Sequence, residues 1–264
     1  MESGSTRAAY HVQSLERGLA VIKAFGAGTP QLTLSDVAKA TGLTRAAARR
    51  FLLTLADLGY VRAEGRYFRL TARVLELGYA YLSSLPLSDV VQPHLERLSA
   101  EVHESSSVSV LDGTDIVYVA RVAVSRIMTV SIDVGTRFPA HATSMGHVLL
   151  AGLGEDELAA YLDEATFERR TERTITSASD LRAELDRVRE QGWALVDQEL
   201  EEGLRSVAVP LHDRDGKVVA AVNLSTHASR TTSETVLTEL LPRLRRTAER
   251  IEADLSVAVG ARVS

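Results

Sequence analysis

Residues 42–55 read GLTRAAARRFLLTL, three alanines and three arginines set between a glycine and an apolar run. Thr44 is a favourable helix N-cap, and Ala48, Phe51, Leu52, Leu55 and Leu58 then recur at the period of one helical face. Arg45, Ala46, Arg49 and Arg50 fall on the other side. Such a helix suits the DNA major groove. Its arginines can pair with phosphates or bidentately with guanine edges, and the small Ala46 and Ala47 let the backbone approach. A solvated basic face on an ordinary core helix has the same pattern, so the neighbouring segments decide.

Upstream, Leu15, Leu19, Ile22 and Phe25 predict an amphipathic helix over Val12 to Phe25, ended by Gly26. GAGTPQ reads as a loop. Thr33 then caps a short helix with Leu34, Val37 and Ala38 on one face, stopping at Gly42. Downstream, Tyr60–Arg62 and Arg66–Leu70 are β-prone runs around Ala63-Glu64-Gly65, the composition of a hairpin. Three helices with a tight glycine turn before the third, then a hairpin, give the order of a winged helix-turn-helix over 12–70. Arg66 falls at the tip of the wing, within reach of the DNA backbone or minor groove. The expected partner is double-stranded DNA; a wing-and-helix module that binds protein instead is the alternative.

Charge supports the division. Residues 1–73 hold 11 Lys and Arg against 5 Asp and Glu, a balance of +6, whereas residues 74–264 hold 19 against 30, a balance of −11. A basic front and an acidic back predict two modules with different partners. With 264 residues, 45% of them apolar, two cores are affordable. Cysteine is absent, which excludes disulfides and thiolate chemistry, and the histidines show no metal-binding spacing. Neither metal nor cofactor is expected. Residues 1–11 read as a flexible N-terminus without an apolar signal region, and no run is long enough to span a membrane. A cytoplasmic protein is expected.

Residues 71–87 read as a linker helix broken at Pro86, stiff enough to carry movement from one module to the other. Over 88–258 the pattern changes. A helix from Ser88 to His103 precedes Val108–Leu111 and Ile116–Val122, which flank an Asp112-Gly113 turn. MTVSIDVG predicts another strand, and RFPAHATSMGH a polar loop turning into a helix near Thr143 or Ser144. Two acidic helical stretches, a second hairpin of Ser206–Leu211 with Val218–Ser225, and a helix from Ser233 to about Val257 complete an α+β domain: an antiparallel sheet with flanking helices.

RFPAHATSMGH concentrates polar chemistry. Arg137, His141, Thr143 and Ser144 lie beside a helix start, whose free amides favour an anion, so a small carboxylate fits there. Capping by Thr143 and Ser144 and a local bond from His141 would explain the same residues without a ligand. An enzyme reading also exists. Ala142-Thr143-Ser144-Met145-Gly146 is one residue short of a nucleophile elbow, with Asp197 and His212 or His227 following in hydrolase order. The missing first glycine and the proline-containing loop before it argue against a serine hydrolase.

VQSLERGLAVIKAF, LTLSDVAKATGLTRAAARRFLLTLADLGYV and LTARVLELGYAYLSS resemble the DNA-binding half of IclR-type transcriptional regulators. GTRFPAHATSMGHVLLA and DQELEEGLRSVAVPLHDRDGKVVAAVNLSTHASR resemble their effector domain. The wording is most similar to the PcaR/PcaU/PobR branch, which governs β-ketoadipate pathway genes for aromatic-acid breakdown. The resemblance implies a GAF/profilin-like effector domain and a homodimer joined through the N-terminal module, often paired into a tetramer. It implies a small organic acid as effector: protocatechuate, 4-hydroxybenzoate or β-ketoadipate. It also implies a pocket over the sheet, lined by Arg137, His141, Ala142, Thr143, Ser144 and Met145 on one side and Asp197, Glu199, Ser206, Ala208, Asn223 and Ser225 on the other. Many relatives carry cysteine where this chain has Ser206. Two carboxylates facing an acidic effector would repel it, so Asp197 and Glu199 are expected to orient Arg137 or Arg205 instead.

Overall fold

The computed structural model describes residues 11–26, 28–77, 87–124 and 132–260. The chain divides into two compact units, residues 1–83 and 84–264.

In the first unit, α1 (Gln13–Lys23) is followed by β1 (Leu32–Thr33), α2 (Leu34–Thr41), α3 (Arg45–Asp57), β2 (Val61–Glu64) and β3 (Tyr67–Leu70). Thr33 and Asp36 form a reciprocal cap on α2: the Thr33 hydroxyl accepts from the Asp36 N–H and the Asp36 carboxylate accepts from the Thr33 N–H at 2.9 Å. Such a cap contributes about 1 kcal/mol. Gly42 adopts φ 67°, the left-handed conformation that ends α2 and turns the chain into α3. Thr44 caps α3 by accepting from the Ala47 N–H at 3.2 Å. The hairpin turns at Gly65-Arg66, and β3 lies between β1 and β2, so a third, two-residue strand joins the wing where the sequence suggests only loop and cap.

The core of this unit is Val21, Phe25, Leu32, Val37, Ala48, Leu52, Leu55 and Val61. Of the four residues in the predicted stripe of α1, Phe25 is buried and Ile22 packs against the core, whereas the first two point outward. Leu15 and Leu19 are 63% and 45% exposed while Val21 is fully buried, because the Gly18 side of the helix lies against Phe51 of α3. Leu58 ends α3 and is exposed rather than part of its stripe. Residues 75–77 begin a helix, but most of the predicted linker lies outside the described residues.

The second unit runs α4 (Leu87–Val102), β4 (Ser105–Asp112), β5 (Asp115–Val122), β6 (Arg137–Pro139), α5 (Ser144–Ala151), α6 (Glu155–Glu164), α7 (Ala178–Gln191), β7 (Ala194–Asp197), β8 (Leu204–His212), β9 (Val218–His227) and α8 (Leu241–Gly260). The strands form one antiparallel sheet in the order β6-β5-β4-β9-β8-β7. The register of β4 with β5 shifts between Val108 and Ser109, a bulge that places the extra residue in β5. Of the predicted strand MTVSIDVG, residues 128–131 lie outside the described residues and 132–135 are not extended in the sheet. The strand here is β6, inside the segment read as a loop.

Alternation along the strands separates two cores. Val108, Val207, Val209, Val222 and Leu224 face α4 and α8, meeting Leu95, Leu98, Leu244 and Ile251. Ile116, Tyr118, Ala208 and Ala221 face the other way, toward Met145, Val148 and Leu150 of α5, with Leu158, Leu181 and Leu185 outside them. Helix α5 is buried along its length and lies close to the preceding turn, where a Cβ on Gly146 would run into the backbone of Ala140.

Candidate nucleic-acid interface and effector site

On α3, Ala48, Leu52 and Leu55 are buried while Arg45, Ala46, Arg49 and Arg50 are exposed, with Thr44 exposed and Ala47 half-exposed beside them. Among the described residues none of the three arginines has an ion-pair partner. The wing differs. Arg62 and Arg69 share Glu64, at 2.7 and 3.3 Å, whereas Arg66 at the tip stacks over the Tyr67 ring and donates to its hydroxyl at 2.7 Å. The predicted reading residues therefore lie on exposed or half-exposed surface, and the arginines of α3 and the wing tip have no ion-pair partner among the described residues.

The effector candidates separate into those that meet and those that do not. Ser144, at the start of α5, and Ser206, on β8, bring their hydroxyls to 2.9 Å in a buried contact. Met145 packs beneath, its sulfur accepting from the Ser109 hydroxyl. Ser206 is paired across the sheet with Ser225, and Ala208 with Asn223. The Asn223 amide donates to Ser225 at 3.1 Å, leaving its Oδ1 buried and without a partner among the described residues. Ala142 is buried with Leu200 and Leu204. Thr143 caps α5, accepting from the Gly146 N–H, so its hydroxyl is committed to the helix.

Four expectations are corrected. Arg137 does not reach Ser144: it sits on the edge strand β6, four strands from β8, and its guanidinium is taken by Asp112 and by Asp115 at 3.1 Å. Asp197 is on the opposite face from Ser206, because strand alternation pairs it with Arg205, which it binds at 2.8 Å; Arg173 holds its other oxygen. It thus orients Arg205, not Arg137. Glu199 lies beyond the strand end, where burial, then the nearby Glu184 charge, push its carboxyl up to about 7. His141 is turned away, donating to the Glu168 carbonyl at 3.3 Å and meeting the Phe167 ring edge-on. It lines a separate cleft of about 320 Å³ with Tyr161, Asp115 and Arg170; burial holds its pKa down.

Among the described residues these groups form no catalytic relay. The Ser144 hydroxyl meets Ser206, Asp197 is held by two arginines, His212 pairs with Glu252 at 2.7 Å and His227 with Ser229.

One polar residue on the sheet escaped the sequence reading. Arg121 stands on β5 opposite Ser107 of β4 and donates to its hydroxyl at 3.0 Å. Its Nε is buried without a partner, and burial holds its pKa below the ordinary value despite the charge of Asp133. The signal available was a lone arginine within the apolar run IVYVARV, facing the serines of SSSVS. A row of small polar side chains results: Ser107, Asn223, Ser225 and Ser206, with Arg121 at one end.

A winged helix with an unpaired basic face, carried on one chain with a sheet domain that buries a polar face, defines a DNA-binding regulator with a ligand-sensing domain. The chain belongs to the IclR family of bacterial transcriptional regulators. Residues 14–65 match the IclR helix-turn-helix domain and residues 79–253 the bacterial transcriptional regulator IclR C-terminal domain. It is 47% identical over 232 residues to the Pca regulon regulatory protein of Pseudomonas putida, covering 88% of this chain and 80% of that one. It is 37% identical to the p-hydroxybenzoate hydroxylase transcriptional activator of Acinetobacter baylyi, covering 91% of each. Among solved structures it is similar to a transcriptional regulator from a Rhodococcus species (62% identity, TM-score 0.82, 93% of this chain and 98% of that one). It is also similar to an IclR homolog from Microbacterium hydrocarbonoxydans complexed with 4-hydroxybenzoate (27% identity, TM-score 0.80, 92% and 98%). These relatives are regulators, and the chain is a transcriptional regulator rather than an enzyme.

Proposed function

We propose that this regulator controls genes for aromatic-acid breakdown. It binds operator DNA through Thr44, Arg45, Ala46, Ala47, Arg49, Arg50 and Arg66, and responds to a small aromatic or keto acid of the protocatechuate, 4-hydroxybenzoate or β-ketoadipate class. The observation that carries the DNA half is the exposed, unpaired arginine set of α3 in a chain whose net charge is −5. The effector half is supported by the Microbacterium homolog's bound 4-hydroxybenzoate and by the buried hydroxyls of Ser144 and Ser206. Ala142, Met145, Ala208, Asn223 and Ser225 complete the proposed pocket.

The acting species is a homodimer in the cytoplasm, which in this family often pairs into a tetramer. Val12, at the N-cap of α1, and Leu15 and Leu19 on it leave an apolar stripe exposed, which a second copy would bury. Ligand binding biases the effector domain between two arrangements, and the segment over 71–87 carries that bias to α3.

Two measurements test the reading. Gel-shift titration of Arg49→Ala should show operator affinity lowered by about 1–3 kcal/mol; unchanged affinity removes Arg49 from the reading face. Thermal-shift screening against a panel of aromatic acids should single out the effector, since a ligand of the native state raises apparent stability by mass action. A flat panel defeats the aromatic-acid reading.

A further inference from the structure

We infer that Arg121 and Asn223 are the two ends of the effector subsite, Arg121 taking the carboxylate and Asn223 a hydroxyl at the far side of the ring. The inference rests on reading this face of the sheet as the effector site, and it adds which groups decide specificity.

Three observations meet here. Arg121 is a half-buried cation whose side-chain hydrogen bond among the described residues runs to a neutral hydroxyl, Ser107. Its Nε–H is out of water with no acceptor among the described residues, and no carboxylate pairs with it there. A desolvated guanidinium in that state is destabilised until an anion arrives, and a carboxylate matches its planar fork. Asn223 is 3% exposed, and its amide is satisfied at one polar atom only. A ligand hydroxyl serves either orientation of that amide, since it both donates and accepts.

The spacing fits. Arg121 is register-paired with Ser107, and Ser107 with Asn223, so the two lie on strands flanking β4. Two strand spacings set their backbones about 10 Å apart, and the Arg121 guanidinium reaches in as far as Ser107, so only a ligand as small as a single aromatic ring can lie against both groups. The floor between and beside them is Ser107, Ser225, Ser206 and Ala208, side chains with little bulk to oppose a flat ring. A hydroxylated aromatic monoacid satisfies both ends; an unsubstituted benzoate satisfies one.

The test is calorimetric titration of the full chain with 4-hydroxybenzoate, benzoate and 4-hydroxybenzamide. The wild type should prefer 4-hydroxybenzoate. Arg121→Gln should weaken 4-hydroxybenzoate by about ten- to a hundredfold, with a smaller loss for the uncharged amide. Asn223→Ala should leave benzoate unchanged and shrink the preference for the hydroxylated acid. If Arg121→Gln does not fold, Arg121→Lys carries the same comparison: a several-fold loss supports the assignment and wild-type affinity overturns it. Equal losses for acid and amide in Arg121→Gln also overturn it. A wild type that binds acids while both variants match it defeats this inference and leaves the effector reading standing. A wild type that binds none of the three defeats this inference, and the effector reading is then decided by the thermal-shift panel.

Discussion

The arginines of α3 and the arginine of β5 do opposite work with the same side chain. Arg45, Arg49 and Arg50 stand in water, where an unpaired charge costs little, and a polyanion gains from meeting several of them while releasing its counterions. Arg121 has already lost part of its water, so one small anion in the right place matters more to it than any diffuse field. Other arginines of the second unit are paired: Arg137 with Asp112 and Asp115, and Arg205 and Arg173 with Asp197. An unpaired guanidinium is informative in both settings, but exposure separates a surface for a polymer from a socket for a molecule.

The sharpest way to break this contrast is to strip α3. Replacing Arg45, Arg49 and Arg50 together with alanine should cost operator binding about 3 kcal/mol or more and lower the salt slope by about 2 to 3. Gel-shift titrations across a salt series read both, and an unchanged slope would mean that these groups touch no phosphate. Next comes the support of the sensing face. Gly146→Ala drives a methyl group into the Ala140 backbone and should lower stability by about 1–3 kcal/mol; urea midpoints equal to wild type would contradict the tight packing of α5. Ser144→Ala should weaken effector binding by about 1 kcal/mol and leave unliganded operator affinity alone. Arg137→Ala should leave effector binding unchanged, which calorimetry on both variants can distinguish.

The smallest effect concerns Glu199. Its carboxyl is held up at about 7 against an ordinary 4.5. The folded state therefore binds that proton more tightly than the unfolded chain does, and stability is lost as pH rises from 4.5 through 7. Glu199→Gln removes the liability, so the variant should gain on wild type as pH rises through 7 and gain nothing at pH 4. A gain independent of pH would sink this account.

Local chemistry was legible in the sequence. Thr33, Gly42 and Thr44 announce their caps and turn because each acts on backbone within a few residues. The two hairpins of the effector domain are equally local. The face of α1 was not legible, since Leu15 and Leu19 have the apolar character of core residues and only tertiary packing tells them from Val21. The same limit hid the destinations of Arg137 and Asp197, polar groups near the right segment in sequence but set by strand position on the wrong edge and the wrong face. Arg121 shows the converse. Its meaning depends on which residues of β4 and β9 lie alongside it, and pairing register is not written in any one strand.

The bulge in β5 has a consequence of its own. Val119 and Ala120 both turn toward the α4 and α8 core, so the strand changes parity between Tyr118 and Arg121. Were all these residues threaded through a regular ladder with no bulge, alternation would turn the guanidinium among the leucines instead of over the serines. The acid-binding role proposed for that arginine thus depends on one surplus residue elsewhere in its strand as much as on the arginine itself.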